Sequence, residues 1–242
     1  SQTPYRVSFA GGGTDLPAFY QDEPGAVLST GLNQHMYVTV SPRFERTTRI
    51  AYTRTEIAAS LDEIEHTIAR EALRLTGLGE HLEVTTIGDV PAGTGMGSSS
   101  SLTVGLLNAL YAYRGEIASA GRLAEEACRI EIDTLGKPIG RQDQYAAAFG
   151  GLNYIRFNPD HTTDVEPVPC AEATLRALEE RVLIVYTDQQ RSADSILEKQ
   201  SQGTADRRTV LRSMRDLAGE MRDCLSGPGD IDAFEGLLHQ GW

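Results

Sequence analysis

A glycine-rich segment between a strand pattern and a helix pattern constrains the fold of this chain most. Residues 91–101 read PAGTGMGSSSS; an alternating run at 82–87 precedes them, and apolar residues recur at helical spacing after them. Glycine adopts positive φ and permits close backbone approach, and the first N–H groups of a helix attract anions. The segment predicts a phosphate-binding turn. The alternative is a flexible glycine-serine turn with Ser98 as an ordinary N-cap.

The glycine spacing separates this segment from two common nucleotide-binding motifs. No Gly-Lys-Ser/Thr follows, and the order GxGxG is not the GxGxxG of dinucleotide-binding folds. The histidines lack HExxH spacing, and no serine lies in a GxSxG elbow. Walker-type, zinc hydrolase and α/β-hydrolase interpretations are therefore unsupported.

Charge and cysteine content narrow the possible partners. The formal net charge is −12, and such a field repels nucleic acid and anionic lipid. The three cysteines have no CxxC spacing, which disfavours a disulfide framework or a thiolate zinc site. No apolar run reaches the roughly 18 residues of a membrane span. We expect a cytoplasmic protein with no nucleic-acid partner and no membrane partner.

Periodicity predicts a sheet in the first half of the chain and a helix-rich layer in the second. Strands are expected at 5–10, 26–32, 35–40, 82–87 and 151–157, and a buried strand at 182–186. Helices are expected over 60–77, twice after the glycine-rich turn, and from residue 192 onward. The last helix has an apolar stripe that ends before a glycine-proline break at 227–229; its members are Val210, Met214, Leu217, Met221 and Leu225.

Three segments resemble motifs of one enzyme family. PAGTGMGSSSS is similar to the second motif of the GHMP kinases, the galacto-, homoserine, mevalonate and phosphomevalonate kinases. PYRVSFAGGGTD resembles their first motif, and GRQDQYAAAFGG resembles the segment with the acidic catalytic residue. The resemblance implies an α+β GHMP kinase fold, with a ribosomal-protein-like sheet-and-helix domain at 1–160 and a helix-rich C-terminal domain that begins within 161–242. It also implies ATP as co-substrate and Mg²⁺ as cofactor.

One branch of the family is most similar to this sequence. GGGTDLPAFY, IGRQDQYAAAFGGLNYIRF and RSADSIL resemble the D-glycero-D-manno-heptose 7-phosphate kinases. The resemblance implies transfer of the γ-phosphoryl group of ATP to the anomeric hydroxyl of a heptose 7-phosphate. The product would supply nucleotide-activated heptose for surface polysaccharide, in capsule or lipopolysaccharide.

The resemblance also assigns roles to single residues. Asp143 would accept the proton of the sugar hydroxyl or orient it, and Arg6 would stabilise charge on the transferred phosphoryl group. Ser99 and Glu131 would bind Mg²⁺ through hard oxygen ligands. The ATP-binding residues would be Pro91, Gly93, Gly95, Met96, Gly97, Ser98, Ser99 and Ser100. The substrate-binding residues would be Gly13, Thr14, Asp15, Gln142 and Arg191.

Simpler interpretations exist for each of these residues. Asp143 could be a helix N-terminal cap, Arg6 an arginine on a solvated strand edge, and Asp15 the closing residue of a glycine-rich turn. The metal carboxylate could be shifted in register, to Glu125, Glu126 or Asp133. The phosphate of the sugar itself could be bound by Arg141, Lys137 or Arg191, or these could form surface ion pairs.

The sequence departs from the family at one point and leaves several functions open. Family members continue to a third glycine-rich motif that is absent here, so we expect an incomplete C-terminal domain. A kinase for galactose, fucose, mevalonate or homoserine, a non-catalytic sugar-binding regulator and an RNA-binding domain are the alternatives; the acidic balance counts against the last. The oligomeric state is open, with a homodimer as one option.

Overall fold

The computed structural model describes residues 1–185 and 204–241. Its strands are β1 (Gln2–Ala10), β2 (Gly25–Pro42), β3 (Thr48–Ala51), β4 (Thr55–Ala58), β5 (Leu82–Gly88), β6 (Leu152–Phe157) and β7 (Thr163–Pro167). Its helices are α1 (Pro17–Tyr20), α2 (Thr67–Thr76), α3 (Ser98–Tyr113), α4 (Ala120–Cys128), α5 (Gln142–Phe149), α6 (Glu172–Arg181), α7 (Thr204–Leu225) and α8 (Ile231–Gln240). This mixture confirms the α+β fold class.

The chain folds into two compact units, each made of separate stretches. The first contains Ser1–Tyr5, Leu32–Lys137 and Asp143–Phe149, and the second contains Arg6–Gly31, Pro138–Gln142 and Gly150–Trp242. The predicted domains are contiguous, with a boundary at residue 160, and that boundary stays a prediction.

The first unit is a sheet covered by helices. The second half of β2 pairs antiparallel with β5, with Val38 opposite Thr86, and β5 pairs in parallel with β3, which pairs with β4. Apolar side chains of β2, β3 and β5 pack against α2, α3 and α4 in one core. Burial of these apolar side chains is the main favourable contribution to the folding free energy of the unit.

A histidine begins α2 in this unit. Nδ1 of His66 accepts a hydrogen bond from the N–H of Ala69 at 3.3 Å, which satisfies one of the unpaired donors at the helix start. Burial lowers the pKa of His66, because desolvation disfavours the charged ring. The cap therefore requires a neutral imidazole.

The second unit pairs the first half of β2 with β6, and β6 with β7, both antiparallel. Its core joins these strands to α6, α7 and α8, with Met221, Leu225 and Phe234 almost completely buried. The predicted stripe on α7 is correct at Met221 and Leu225. It is wrong at Val210, which is 60% exposed, whereas its neighbour Leu211 is buried.

Two predicted strand assignments differ from the structure. The runs at 26–32 and 35–40 belong to one strand, because β2 continues without a break through residues 25–42. The predicted strand at 182–186 is wrong over its described part: residues 182–185 form no strand and Leu183 is 84% exposed. A strand requires a hydrogen-bonded neighbour, and no described strand pairs with this run.

Candidate functional site: a glycine-rich turn and a buried glutamate

The predicted phosphate-binding turn joins β5 to α3 in the first unit. Gly93, Gly95 and Gly97 have φ values of 81°, 76° and 71°, a conformation that favours glycine. Gly97 is the N-cap of α3 and provides no side chain to the helix start, and the first turn contains no acidic residue. Ser98 is therefore not the N-cap, and the first N–H groups of α3 have no side-chain cap.

Two of the serines at the start of α3 contact the same carboxylate. Ser99 Oγ donates a hydrogen bond to Glu131 Oε1 at 2.5 Å, and Ser100 Oγ donates to Glu131 Oε2 at 2.8 Å. The next residue, Ser101, instead donates to the carbonyl oxygen of Pro4. The helix start that follows the glycines is thus fixed to Glu131.

Glu131 lies in a π-helical turn, Arg129–Thr134, that continues α4. Such turns are rare and occur frequently at functional sites. The side chain is fully buried, whereas Glu125 and Asp133 are exposed and Glu126 accepts hydrogen bonds from Tyr111 and Arg122. Of the carboxylates considered for the metal, Glu131 is the one that contacts the serines.

Two further residues complete the surroundings of Glu131. Lys137 Nζ lies 3.0 Å from Glu131 Oε1 and 2.7 Å from Ser99 Oγ, and Gln144 Nε2 donates to Glu131 Oε2 at 2.8 Å. Lys137, suggested above for the phosphate of the sugar, thus contacts the predicted metal ligands instead. Sequence reasoning missed Gln144, although it directly follows Asp143 in the recognised segment.

The oxygens of Ser99 and Glu131 fit a magnesium ion in chemical type. Within residues 1–185 and 204–241 no three His, Cys, Asp or Glu side chains cluster as a metal cage. Mg²⁺ commonly binds one or two protein oxygens and takes its other ligands from substrate phosphates and water. Ser99 and Glu131 offer two hard oxygens 2.5 Å apart. The buried Oε1 of Gln144 has no hydrogen-bond partner in the described structure, so the same surroundings contain an unused oxygen acceptor.

The two predicted catalytic residues lie on regular elements. Asp143 is half-buried in the first turn of α5, where a negative charge is favourable next to the helix N-terminus. Arg6 is half-buried on β1. Arg6 belongs to the second unit and Asp143 to the first.

The predicted sugar-binding segment forms a tight turn in the second unit. Asp15 is buried and accepts hydrogen bonds from the N–H of Gly13 at 3.1 Å, the N–H of Gln142 at 3.1 Å and Gln142 Nε2 at 3.2 Å. Thr14 Oγ1 donates to the carbonyl oxygens of Gly11 and Ala26. Gly13, Thr14, Asp15 and Gln142 are thus brought together, with Thr14 bound to the backbone.

A glycine that sequence reasoning missed makes this arrangement possible. A Cβ on Gly140 would lie 1.8 Å from Asp15 Oδ2, so any side chain there would displace the carboxylate. The glycine of the IGRQDQ segment is a sequence signal for this contact, because glycine permits the close approach of two parts of the chain.

The remaining candidates are distributed more widely. Arg141 donates a hydrogen bond to the carbonyl oxygen of His161. Arg191, with the rest of RSADSIL, lies outside the described residues.

In the part of the chain that is described, no helix combines the length and apolar character of a membrane span.

Part of the chain matches a model of a known protein family. The GHMP kinases N terminal domain model matches residues 57–151, the stretch with the glycine-rich turn, Glu131 and Asp143. A D-glycero-alpha-D-manno-heptose 7-phosphate kinase of Campylobacter jejuni is 27% identical over 256 residues, covering 100% of this chain and 75% of the relative.

Solved structures show the same fold. The crystal structure of a D-glycero-D-manno-heptose 1-phosphate kinase from Bacteriodes thetaiotaomicron has a TM-score of 0.76 at 26% identity, covering 100% of this chain and 77% of that one. A Streptococcus pneumoniae phosphomevalonate kinase has a TM-score of 0.78 at 15% identity, covering 99% and 77%, and shows the fold alone. Residues 57–151 thus match the GHMP kinases N terminal domain, and the whole chain is similar in sequence and fold to kinases of this kind.

Proposed function

We propose that this protein transfers the γ-phosphoryl group of ATP to the anomeric hydroxyl of a heptose 7-phosphate, in a magnesium-dependent reaction. The observation that carries the kinase chemistry is the contact of Ser99 with buried Glu131 directly after the glycine-rich turn. The heptose is supported by two heptose kinases that are similar over the whole chain. The product would be used for nucleotide-activated heptose and surface polysaccharide.

The triphosphate of ATP is assigned to the glycine-rich turn and the start of α3. The three positive-φ glycines keep side chains out of the turn, and the uncapped N–H groups of α3 offer donors for phosphate oxygens. The partial positive charge at the helix start favours the same anion.

Ser99 and Glu131 are assigned to Mg²⁺. A bound Mg²⁺ neutralises phosphate charge as it develops during transfer. Ser100 and Gln144 have a supporting role, because both donate hydrogen bonds to Oε2 of Glu131 and so fix the orientation of the carboxylate. The first unit contains all four of these residues, Ser99, Ser100, Glu131 and Gln144, and also the glycine-rich turn.

Asp143 is assigned to the sugar hydroxyl, which it would orient and deprotonate. Phosphoryl transfer depends mainly on positioning and charge stabilisation, and a carboxylate within hydrogen-bond reach of the hydroxyl is suited to both tasks. Arg6, a permanently charged fork, would stabilise the transferred phosphoryl group.

Asp15 and Gln142 are assigned to the hydroxyl groups of the sugar. A carboxylate accepts paired hydrogen bonds from neighbouring hydroxyls, and the Gln142 contacts fix its orientation. Gln142 also accepts a hydrogen bond from Ser8 Oγ at 2.8 Å through Oε1, which fixes the amide in turn.

A substrate panel tests the proposal. Purified chain with ATP and Mg²⁺ is offered heptose 7-phosphate, galactose, fucose, mevalonate and homoserine, and product is detected by phosphorus NMR. We expect an anomeric phosphate on heptose 7-phosphate, with Asp143→Asn lowering kcat by about 10²- to 10⁴-fold. Asp133→Asn, on an exposed carboxylate, is the control and should leave kcat unchanged.

Two outcomes would contradict the proposal. Phosphorylation of mevalonate or homoserine with no activity on any sugar would assign a different substrate class. Tight binding of heptose 7-phosphate with no ADP release would instead indicate a sugar-binding regulator.

A further inference from the structure

A buried carboxylate requires compensation for its lost hydration. Glu131 has no exposed surface, and its two oxygens accept hydrogen bonds from four side chains. Three of these donors are neutral: Ser99, Ser100 and Gln144. Among the described contacts of Glu131, only Lys137 brings a positive charge. The charge balance of the site therefore depends on one ammonium group.

The ammonium group bridges the two atoms assigned to the metal. Ser99 Oγ, Glu131 Oε1 and Lys137 Nζ form a triangle with sides of 2.5, 2.7 and 3.0 Å. Mg²⁺ bound by both oxygens would lie about 2.1 Å from each of them. The ammonium group of Lys137 thus uses the oxygen lone pairs that such an ion would need. An ammonium group and a Mg²⁺ ion that shared these two oxygens would also repel each other.

The backbone places Lys137 for this contact. Its N–H donates to the carbonyl oxygen of Glu131 at 3.0 Å, and Gly136 before it turns the chain with φ of 64°. The side chain is 23% exposed, so the flexible stem has a route to solvent when the ammonium group leaves.

We propose that Lys137 is the internal cation of the metal-free site and that Mg²⁺ binds by displacing it from Ser99 and Glu131. This inference rests on the metal role of those two residues in the proposed function. The lysine stabilises the carboxylate when no metal is bound and weakens the affinity for free Mg²⁺. Phosphate charge brought by ATP favours the exchange, so metal and nucleotide bind together.

Thermal unfolding without metal is the first test. Lys137→Met leaves Glu131 buried without a cation and should lower Tm by on the order of 10 °C. Arg122→Met is the matched control, because Arg122 pairs with Glu126 on the surface and is 46% exposed. The control should change Tm by a few degrees at most. Lys137→Gln keeps a hydrogen-bond donor without the charge and replaces Lys137→Met if the latter does not fold.

Titration with Mg²⁺ alone, followed by calorimetry and by Tm, is the second test. If the lysine leaves the two oxygens free about a tenth of the time, its removal should tighten Mg²⁺ binding about tenfold. Added Mg²⁺ should restore most of the lost Tm in Lys137→Met and raise Tm of the unmodified chain less. In a Glu131→Gln background, Lys137→Met should change neither quantity.

Three results would overturn the inference. Weaker Mg²⁺ binding in Lys137→Met would mean that the lysine supports the metal. Unchanged Tm and unchanged affinity would mean that the ion pair of Lys137 with Glu131 affects neither stability nor metal binding. No Mg²⁺ binding in any variant would mean that the site takes no free metal. Because neither experiment uses a sugar, a chain that is inactive on heptose 7-phosphate could still show the expected changes in Tm and in Mg²⁺ affinity.

Discussion

Ser99 Oγ and Glu131 Oε1 lie 2.5 Å apart although 32 residues separate them in the sequence. The contact connects the helix start after the glycine-rich turn to the π-helical turn that follows α4. The elements that we propose for nucleotide and metal binding are thereby fixed to each other within the first unit.

Replacement of the buried carboxylate should slow metal-dependent transfer. Glu131→Gln keeps the size of the side chain but removes the charged ligand, and we expect kcat to fall by about a hundredfold. Glu125→Gln, on an exposed carboxylate of α4, is the control and should have wild-type activity. Steady-state kinetics across Mg²⁺ concentrations measures both; equal activity of the two variants would remove Glu131 from the metal site.

The glycine-rich turn should not tolerate a side chain at Gly95. Its φ of 76° makes alanine unfavourable by about 1–2 kcal/mol even though a Cβ there would meet no other atom. We expect Gly95→Ala to raise KM for ATP. Gly121→Ala lies in α4 with equally open space, and should stabilise the chain by about 0.5–1 kcal/mol with KM unchanged.

Displacement of Asp15 should affect the sugar and not the nucleotide. A Cβ on Gly140 would overlap Asp15 Oδ2, so Gly140→Ala should break the contact with Gln142. We expect kcat/KM for the sugar to fall by about a hundredfold, with nucleotide binding unchanged. Gly12→Ala is the control, because Gly12 lies in the same GGGTD turn as Asp15 and a Cβ there would contact no other atom. An equal loss in nucleotide affinity would contradict the assignment of this turn to the sugar.

The His66 cap predicts a pH-dependent contribution to stability. Burial lowers the folded-state pKa of His66, so the unfolded chain takes up a proton first as the pH falls. The stabilisation is complete above the unfolded pKa of about 6.5 and is lost as the pH falls from there through the lower folded pKa. His66→Asn keeps a capping oxygen without this titration, so its unfolding free energy should decline less below pH 6.5. Parallel curves for the two proteins would contradict the prediction.

The sequence predicted the elements with a strong local signal. Alternation and glycine punctuation located β1, β5 and β6, and three positive-φ glycines formed the expected turn. The α+β class and the family also followed from motifs in the correct order.

The sequence could not predict contacts that depend on tertiary placement. Lys137 lies six residues from Glu131 and Gln144 thirteen, and no periodicity relates either residue to that carboxylate. Val210 and Leu211 are both apolar and adjacent on α7, so the spacing alone did not decide which of them enters the core. The run at 182–185 has strand composition, but strand formation depends on a partner elsewhere in the chain.

The apolar run at 182–185 has a practical consequence for handling the protein. Val182, Leu183, Ile184 and Val185 are 40–84% exposed, with neither charge nor proline among them. Short uncharged apolar segments with high β-propensity favour intermolecular strand addition, so concentrated preparations should aggregate through this stretch. A lysine in place of Leu183, which is absent from both cores, would act as a gatekeeper and keep the protein in solution.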